Sequence, residues 1–219
     1  MIMKRFLLTI IALTSLSANA NQSYSYLSGG YQFTRVSENG MGEYFEDQYN
    51  NEESKYLHGA YFRGSWNFYD HLFAEYRIGA TTRTSSSLTQ NYLALGYYIP
   101  LTSDSSLYAS AGYADYNAKR SIDSGCGLFD FNDECQTIRF SGYDKGYSAE
   151  FGARFQLFPW LQIEPSYRYA DFSDEGQHEF RLTNLLTLSE NSSFEVNGVY
   201  RHWNNLNETN FQLGYRYSF

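Results

Sequence analysis

A chain of 219 residues is long enough for one domain of ordinary size, and its net charge of −8 argues against a nucleic-acid partner. Tyr (22) and Phe (17) are abundant while Pro (3) and Cys (2) are scarce, a balance that suits pleated surfaces or a membrane–water interface better than a helical bundle. Beyond the first twenty residues no apolar run approaches the length of a membrane-spanning helix.

The first element in chain order is a leader. Lys4 and Arg5 form a positive start, and Phe6 to Leu13 is an apolar core too short to span a bilayer. Ala18-Asn19-Ala20 then supplies a small-residue cleavage site. This pattern predicts a signal peptide over residues 1–20 and a mature domain over 21–219. Loss of Lys4 and Arg5 with the leader takes the net charge from −8 to −10.

Ten stretches with a period of two follow, at 24–36, 54–67, 71–82, 88–100, 106–118, 145–157, 161–172, 177–189, 193–203 and 209–219. In the sixth, Tyr147, Ala149, Phe151, Ala153, Phe155 and Leu157 alternate with Ser148, Glu150, Gly152, Arg154 and Gln156. Successive strand side chains point to opposite faces, so one face is apolar and the other carries the charges. A soluble sandwich would have to bury the charged face or leave the apolar one in water, and both are costly. A membrane barrel puts the apolar face against lipid and the charged face into its lumen. Each stretch has about the 9–11 residues that a tilted strand needs to cross a bilayer.

The reading is therefore all-β: an antiparallel up-and-down transmembrane barrel of ten strands, with eight as the alternative if the weakly patterned 177–189 segment drops out. Short turns are expected near Phe68–Asp70, Thr102–Asp104, Phe158–Trp160 and Glu190–Ser192. Longer loops are expected at 37–53 and 119–144, and brief ones near 83–87, 173–176 and 204–208. An even strand count puts both termini in the periplasm. Trp66, Phe68, Tyr69, Phe158, Trp160, Tyr217 and Phe219 would then form an aromatic girdle near that surface.

The last stretch carries the most specific motif. Phe211, Leu213, Tyr215, Tyr217 and Phe219 alternate with Asn210, Gln212, Gly214, Arg216 and Ser218. It resembles the C-terminal signature of Gram-negative outer-membrane barrels. With the leader, the chain resembles the outer-membrane-protein β-barrel domain family, which includes the transmembrane domains of OmpA and OmpX. The resemblance implies location in the outer membrane among lipopolysaccharide, and recognition of Tyr215, Tyr217 and Phe219 by the barrel-assembly machinery. It departs from the eight-stranded members in strand count. With Phe219 as the closing residue of the last strand, a peptidoglycan-binding domain of the kind attached to OmpA is not expected.

Projected onto the strands, the inward charges are Arg63, Glu75, Arg77, Glu150, Arg154, Glu164, Arg168, Glu179, Arg181, Glu195, Arg201 and Arg216. Arg offers a planar fork that pairs with a carboxylate, and an isolated charge in a narrow barrel is expensive. Barrels of about this size are filled by side chains, so the set is read as a plug, with a selectivity lining as the alternative.

Catalytic candidates are sparse. Of His58, His71, His178 and His202, none projects into the lumen. Asp171, Asp174 and His178 gather near the outer end of the seventh and eighth strands, where a His beside acids could act as a general base. Cys126 and Cys135 in the longest outer loop are expected to form a disulfide after export. Acidic residues from Glu38 to Glu53 interleave with Tyr44, Phe45 and Tyr49, without the spaced pattern of a tight calcium site. That loop is expected to be solvated and loosely bridged to lipopolysaccharide by divalent cations. No cofactor or metal centre is expected, and no extracellular partner is identified. The sequence is read as a structural or surface-interaction barrel without catalysis. A narrow porin-like channel is the alternative, and an outer-rim hydrolase acting on lipid A or peptides the third.

Overall fold

The computed structural model describes residues 23–37, 44 and 45, 56–124, 136–172, 175–203 and 206–219. Ten strands follow in order: β1 (Tyr26–Val36), β2 (Tyr56–Tyr69), β3 (Leu72–Arg83), β4 (Ser86–Thr102), β5 (Ser105–Ser124), β6 (Gln136–Phe158), β7 (Leu161–Asp171), β8 (Gly176–Ser189), β9 (Ser192–Trp203) and β10 (Leu206–Ser218). Each pairs antiparallel with its neighbours in sequence, and β1 pairs with β10, so the sheet closes into a barrel without edges. The leader, the two cysteines and most of the acidic loop lie outside the described residues.

The starts of β1 and β2–β3, β4–β5, β6–β7 and β8–β9 turns share one end with the close of β10, here the terminal end; the opposite end is the loop end. Asp70 turns β2 into β3 with φ of 43°, a region that a short polar side chain tolerates, and its carbonyl accepts from Asn67 Nδ2 at 2.8 Å. At the loop end Thr84 takes φ of 41° between β3 and β4, a harder conformation for a β-branched residue.

The wall is inside-out relative to a water-soluble domain. Leu93, Leu95, Ile99, Phe151, Leu182, Phe211 and Tyr215 face outward and are exposed, while Arg63, Glu75, Glu164, Glu195 and Arg216 are buried. Only a lipid solvent makes that arrangement favourable. Trp66, Phe68, Phe158 and Trp160 are exposed at the terminal end, and the Phe158 and Trp160 rings stack at 5.5 Å.

One expectation needs correcting. The segment 119–144 is not a loop throughout: β5 and β6 pair continuously from Ser105 opposite Phe155 to Ser124 opposite Gln136. β4 reaches only Arg120, and β7 only Tyr147. Beyond those points, among the described residues, β5 and β6 pair with each other alone. Both strands are free of other neighbours over four pairs, Ser121 opposite Arg139 to Ser124 opposite Gln136, which form a short ribbon. Below it β6 residues 136–146, roughly 35 Å of strand at ~3.3 Å per residue, have β5 as their sole described neighbour strand, while β5 still pairs with β4 and buries Ala114, Tyr116, Ala118 and Arg120.

Candidate functional site

The lumen is layered from one mouth to the other. At the terminal end Tyr24, Phe73 and Tyr108 are buried together with Tyr98 packed against them. Tyr24 stacks on Tyr98 at 4.0 Å, meets Phe73 at 4.9 Å, and bonds Ser106 Oγ through its hydroxyl at 3.0 Å. At the loop end Val36, Leu57, Leu88, Tyr116, Phe172, Trp203 and Leu206 form a second apolar cluster, joined by Tyr44 and Phe45. Tyr116 and Trp203 meet edge to face at 4.4 Å. Tyr44 donates to Asp144 at 2.5 Å, and Phe45 lies 5.8 Å from Phe140, so β6 and the cap touch.

Between these aromatic clusters lie all twelve charges projected from the sequence, each buried. Beside the terminal-end cluster a cavity of ≈ 350 Å³, lined by Gln156, Gln162, Thr187 and Ser193 among others, reaches Arg216. They divide into two networks. Nearer the terminal end, Arg63, Arg77, Arg154 and Arg216 alternate with Glu75, Glu150, Glu164 and Glu195. Arg77 holds Glu150 in a two-pronged contact at 2.7 and 2.7 Å and also pairs with Glu75. Arg63 joins Glu75 at 2.6 Å. Arg216 grips Glu164 at 2.8 and 3.2 Å and Glu195 at 2.7 Å, and Arg154 reaches Glu164 at 3.3 Å. Aromatic rings cover the guanidinium faces: Tyr24 lies 3.6 Å from Arg154 and Tyr26 4.1 Å from Arg216. In this network four cations meet four anions, which keeps the burial affordable without water.

The second network, nearer the loop end, is centred on Glu179. It accepts from Arg168 at 2.8 Å, Arg181 at 3.1 Å and Arg201 at 2.5 Å. Arg201 also donates to Glu208 at 3.0 Å, and Tyr116 donates to the same carboxylate. Glu208 is absent from the sequence projection, because the last strand begins at Leu206 and not at 209. Extending the alternation one turn earlier would have placed it inward beside Asn210 and Gln212. Arg120 is likewise buried and inward, in the part of β5 that was read as loop.

His178 faces outward and shares a 2.7 Å hydrogen bond with the Tyr167 hydroxyl, while Asp171 is exposed on β7; Asp174 lies outside the described residues. His202 bonds Asn207 at 2.6 Å, and His58 bonds Tyr31. His71 sits in the β2–β3 turn against Asp70 at 2.9 Å. At the end of β10, Tyr215 and Tyr217 face outward and exposed. The Phe219 amide donates to the Ser25 carbonyl at 3.0 Å, tying the chain end to the start of β1.

The family model for the outer membrane protein beta-barrel domain matches residues 6–219. Compared by sequence with curated proteins, the chain matches none. Among solved structures it is similar to the attachment invasion locus protein Ail of Yersinia pestis, at 17% identity and a TM-score of 0.42 over 90% of this chain and 99% of that one. It is similar to the KdgM porin at 13% and 0.41, over 88% and 99%. It is similar to the translocator domain of the autotransporter NalP from Neisseria meningitidis at 7% and 0.44, over 99% and 94%.

Proposed function

Given that the chain belongs to the outer membrane protein β-barrel domain family, we propose that it is a non-conducting, non-catalytic barrel whose work is done on its outer surface. The observation that carries this reading is the filled lumen. At the terminal end a cavity of ≈ 350 Å³ reaches Arg216 beside the Tyr24–Phe73–Tyr108 cluster, but beyond it an ion would have to displace two charge networks and the Tyr116–Trp203 cluster in turn. The expected result in planar bilayers is no stable unitary conductance from refolded protein. Reproducible steps that scale with added protein would replace this reading with a narrow channel.

The orientation follows from the same frame. The short turns and the exposed Trp66, Phe68, Phe158 and Trp160 suit the periplasmic interface, with both termini there. The β5–β6 ribbon then stands outside the cell as the displayed element. Ser124 opposite Gln136 is its last described pair, and this brings together the two ends of the segment that carries Cys126 and Cys135. The two cysteines form a disulfide in this reading, expected as a gain of about two mass units when the oxidised chain is reduced (the two thiol hydrogens). Arg35, Arg83, Lys119 and Lys145 are exposed near the loop end, at the level of lipopolysaccharide phosphates.

Tyr215, Tyr217 and Phe219 serve as the signal read by the barrel-assembly machinery. Deleting Phe219 is expected to lower the amount assembled in cells several-fold while leaving refolding of purified protein into detergent nearly unchanged. Equal losses in both settings would make Phe219 a stability residue instead.

A further inference from the structure

A cavity of ≈ 30 Å³ lies within the lumen, lined by Arg63, Arg77, Arg168, Arg181, Arg201 and Gln212 among others. A single water needs about 10–15 Å³ of such space. The cavity therefore has room for one or two waters or a halide-sized ion, and is too small for sulfate or phosphate. Its lining is strongly one-sided. The terminal-end network is balanced, four arginines to four glutamates, but at the loop-end network Arg168, Arg181 and Arg201 face, among the described residues, two carboxylates, Glu179 and Glu208. Glu179 alone accepts from all three.

Three of the arginines that line the cavity also have spare donors. Arg168 Nε and Arg181 Nε of the loop-end network, and Arg63 Nη1 of the terminal-end one, are buried without a hydrogen-bond acceptor among the described residues; Arg154 Nε, away from the cavity, is in the same state. The remaining polar contact of Arg181 is a 3.3 Å donation to the Gln212 side-chain oxygen, a neutral acceptor. A buried guanidinium with an unused N–H and no full counter-charge costs free energy that a bound anion recovers. Water offers acceptors as well, but it leaves the excess positive charge in place.

We propose that this cavity is a built-in site for one small monovalent anion, a chloride in a cellular setting, which completes the charge balance of the loop-end network. The ion is a structural component held among arginines, in the same way that the four-to-four network holds itself. The inference stands whether or not the barrel conducts, because it rests on the charge count of the loop-end network and on unused donors of three arginines that line the cavity.

The test uses full-length mature protein refolded in sodium chloride, bromide, gluconate or sulfate at equal ionic strength, with urea and heat as denaturants so that no guanidinium chloride is introduced. Chloride and bromide are expected to raise the apparent melting temperature by at least about 3 °C over gluconate, saturably. That order runs against the general salt effect, in which sulfate stabilises most. Crystals grown in bromide should show an anomalous scattering peak between Arg168, Arg181 and Arg77. Arg181→Met leaves two arginines to two glutamates, and should fold with a melting temperature that no longer responds to halide. A halide response that persists in Arg181→Met places the effect elsewhere and overturns the proposal. So does an absence of both the halide response and the bromide peak, which would make this a water cavity. If Arg181→Met does not fold, the bromide peak in the wild-type crystal decides alone.

Discussion

Glu179→Ala is expected to keep the barrel from reaching a stable folded state. The carboxylate is 1% exposed and accepts from Arg168, Arg181 and Arg201 at 2.8, 3.1 and 2.5 Å. Without it, three buried guanidinium groups are left with Glu208 alone. Removing one partner of a buried ion pair costs about 3–5 kcal/mol, because the other charge stays where water cannot reach it. Against a total stability of about 5–15 kcal/mol, that is enough to empty the native state in moderate urea. Removing a cation from the same cluster should act quite differently. Arg181→Met leaves equal numbers of charges and replaces one long side chain by another of similar reach, so its cost should stay under about 2 kcal/mol. Urea midpoints of the refolded variants, with the mobility difference between boiled and unboiled samples as the folding readout, separate the two cases. A Glu179→Ala midpoint close to that of the unmodified protein would show that the cluster is solvated after all.

The contrast between these two substitutions also marks how far the sequence could be read. Strand number, closure and inward parity follow from alternation alone, since a period of two fixes which face each residue takes once one residue on the strand is placed. That is why Glu179 and its three arginines could be projected together without knowing any distance. Two features escaped the same rule. Glu208 and Arg120 sit at strand ends beyond the bilayer-length window, where both faces of the chain turn polar and the period fades. The inward aromatic clusters escaped for another reason. Tyr24, Phe73, Tyr108, Tyr116 and Trp203 are apolar residues facing inward, and composition does not separate them from the tyrosines and phenylalanines that face lipid. The spacing puts Tyr108 and Tyr116 on the face of Ser110, opposite Tyr113, and their burial against the exposure of Tyr113 shows that this face closes the lumen.

The pairing of charges across the lumen depends in turn on how tightly the wall curves, and that curvature rests on inward glycines. At Gly59 on β2, an added Cβ would lie 1.8 Å from the Ala80 carbonyl oxygen and 2.8 Å from the Thr81 Cα. These are backbone atoms of the paired strand β3, so no side-chain rotation relieves the contact. Gly146 on β6 is placed in the same way against the Asp171 carbonyl, at 1.7 Å. Glycine inside a strand ordinarily weakens it, and here it marks close approach of two backbones at a tight bend. Gly198 on β9 offers a control, because a Cβ there meets nothing within 4 Å. Gly59→Ala is therefore expected to cost at least about 3 kcal/mol, the upper part of the range for overpacking, since relief requires β2 and β3 to part. Gly198→Ala should be neutral, or stabilising by about 0.5–1 kcal/mol through the lost freedom of the unfolded chain. The folded fraction after refolding and the urea midpoint report both. Equal behaviour of the two variants would mean that the β2–β3 pairing relaxes freely, and the lumen contacts that depend on its curvature, including Arg63 to Glu75 across that same pair, would then have to tolerate the shift as well.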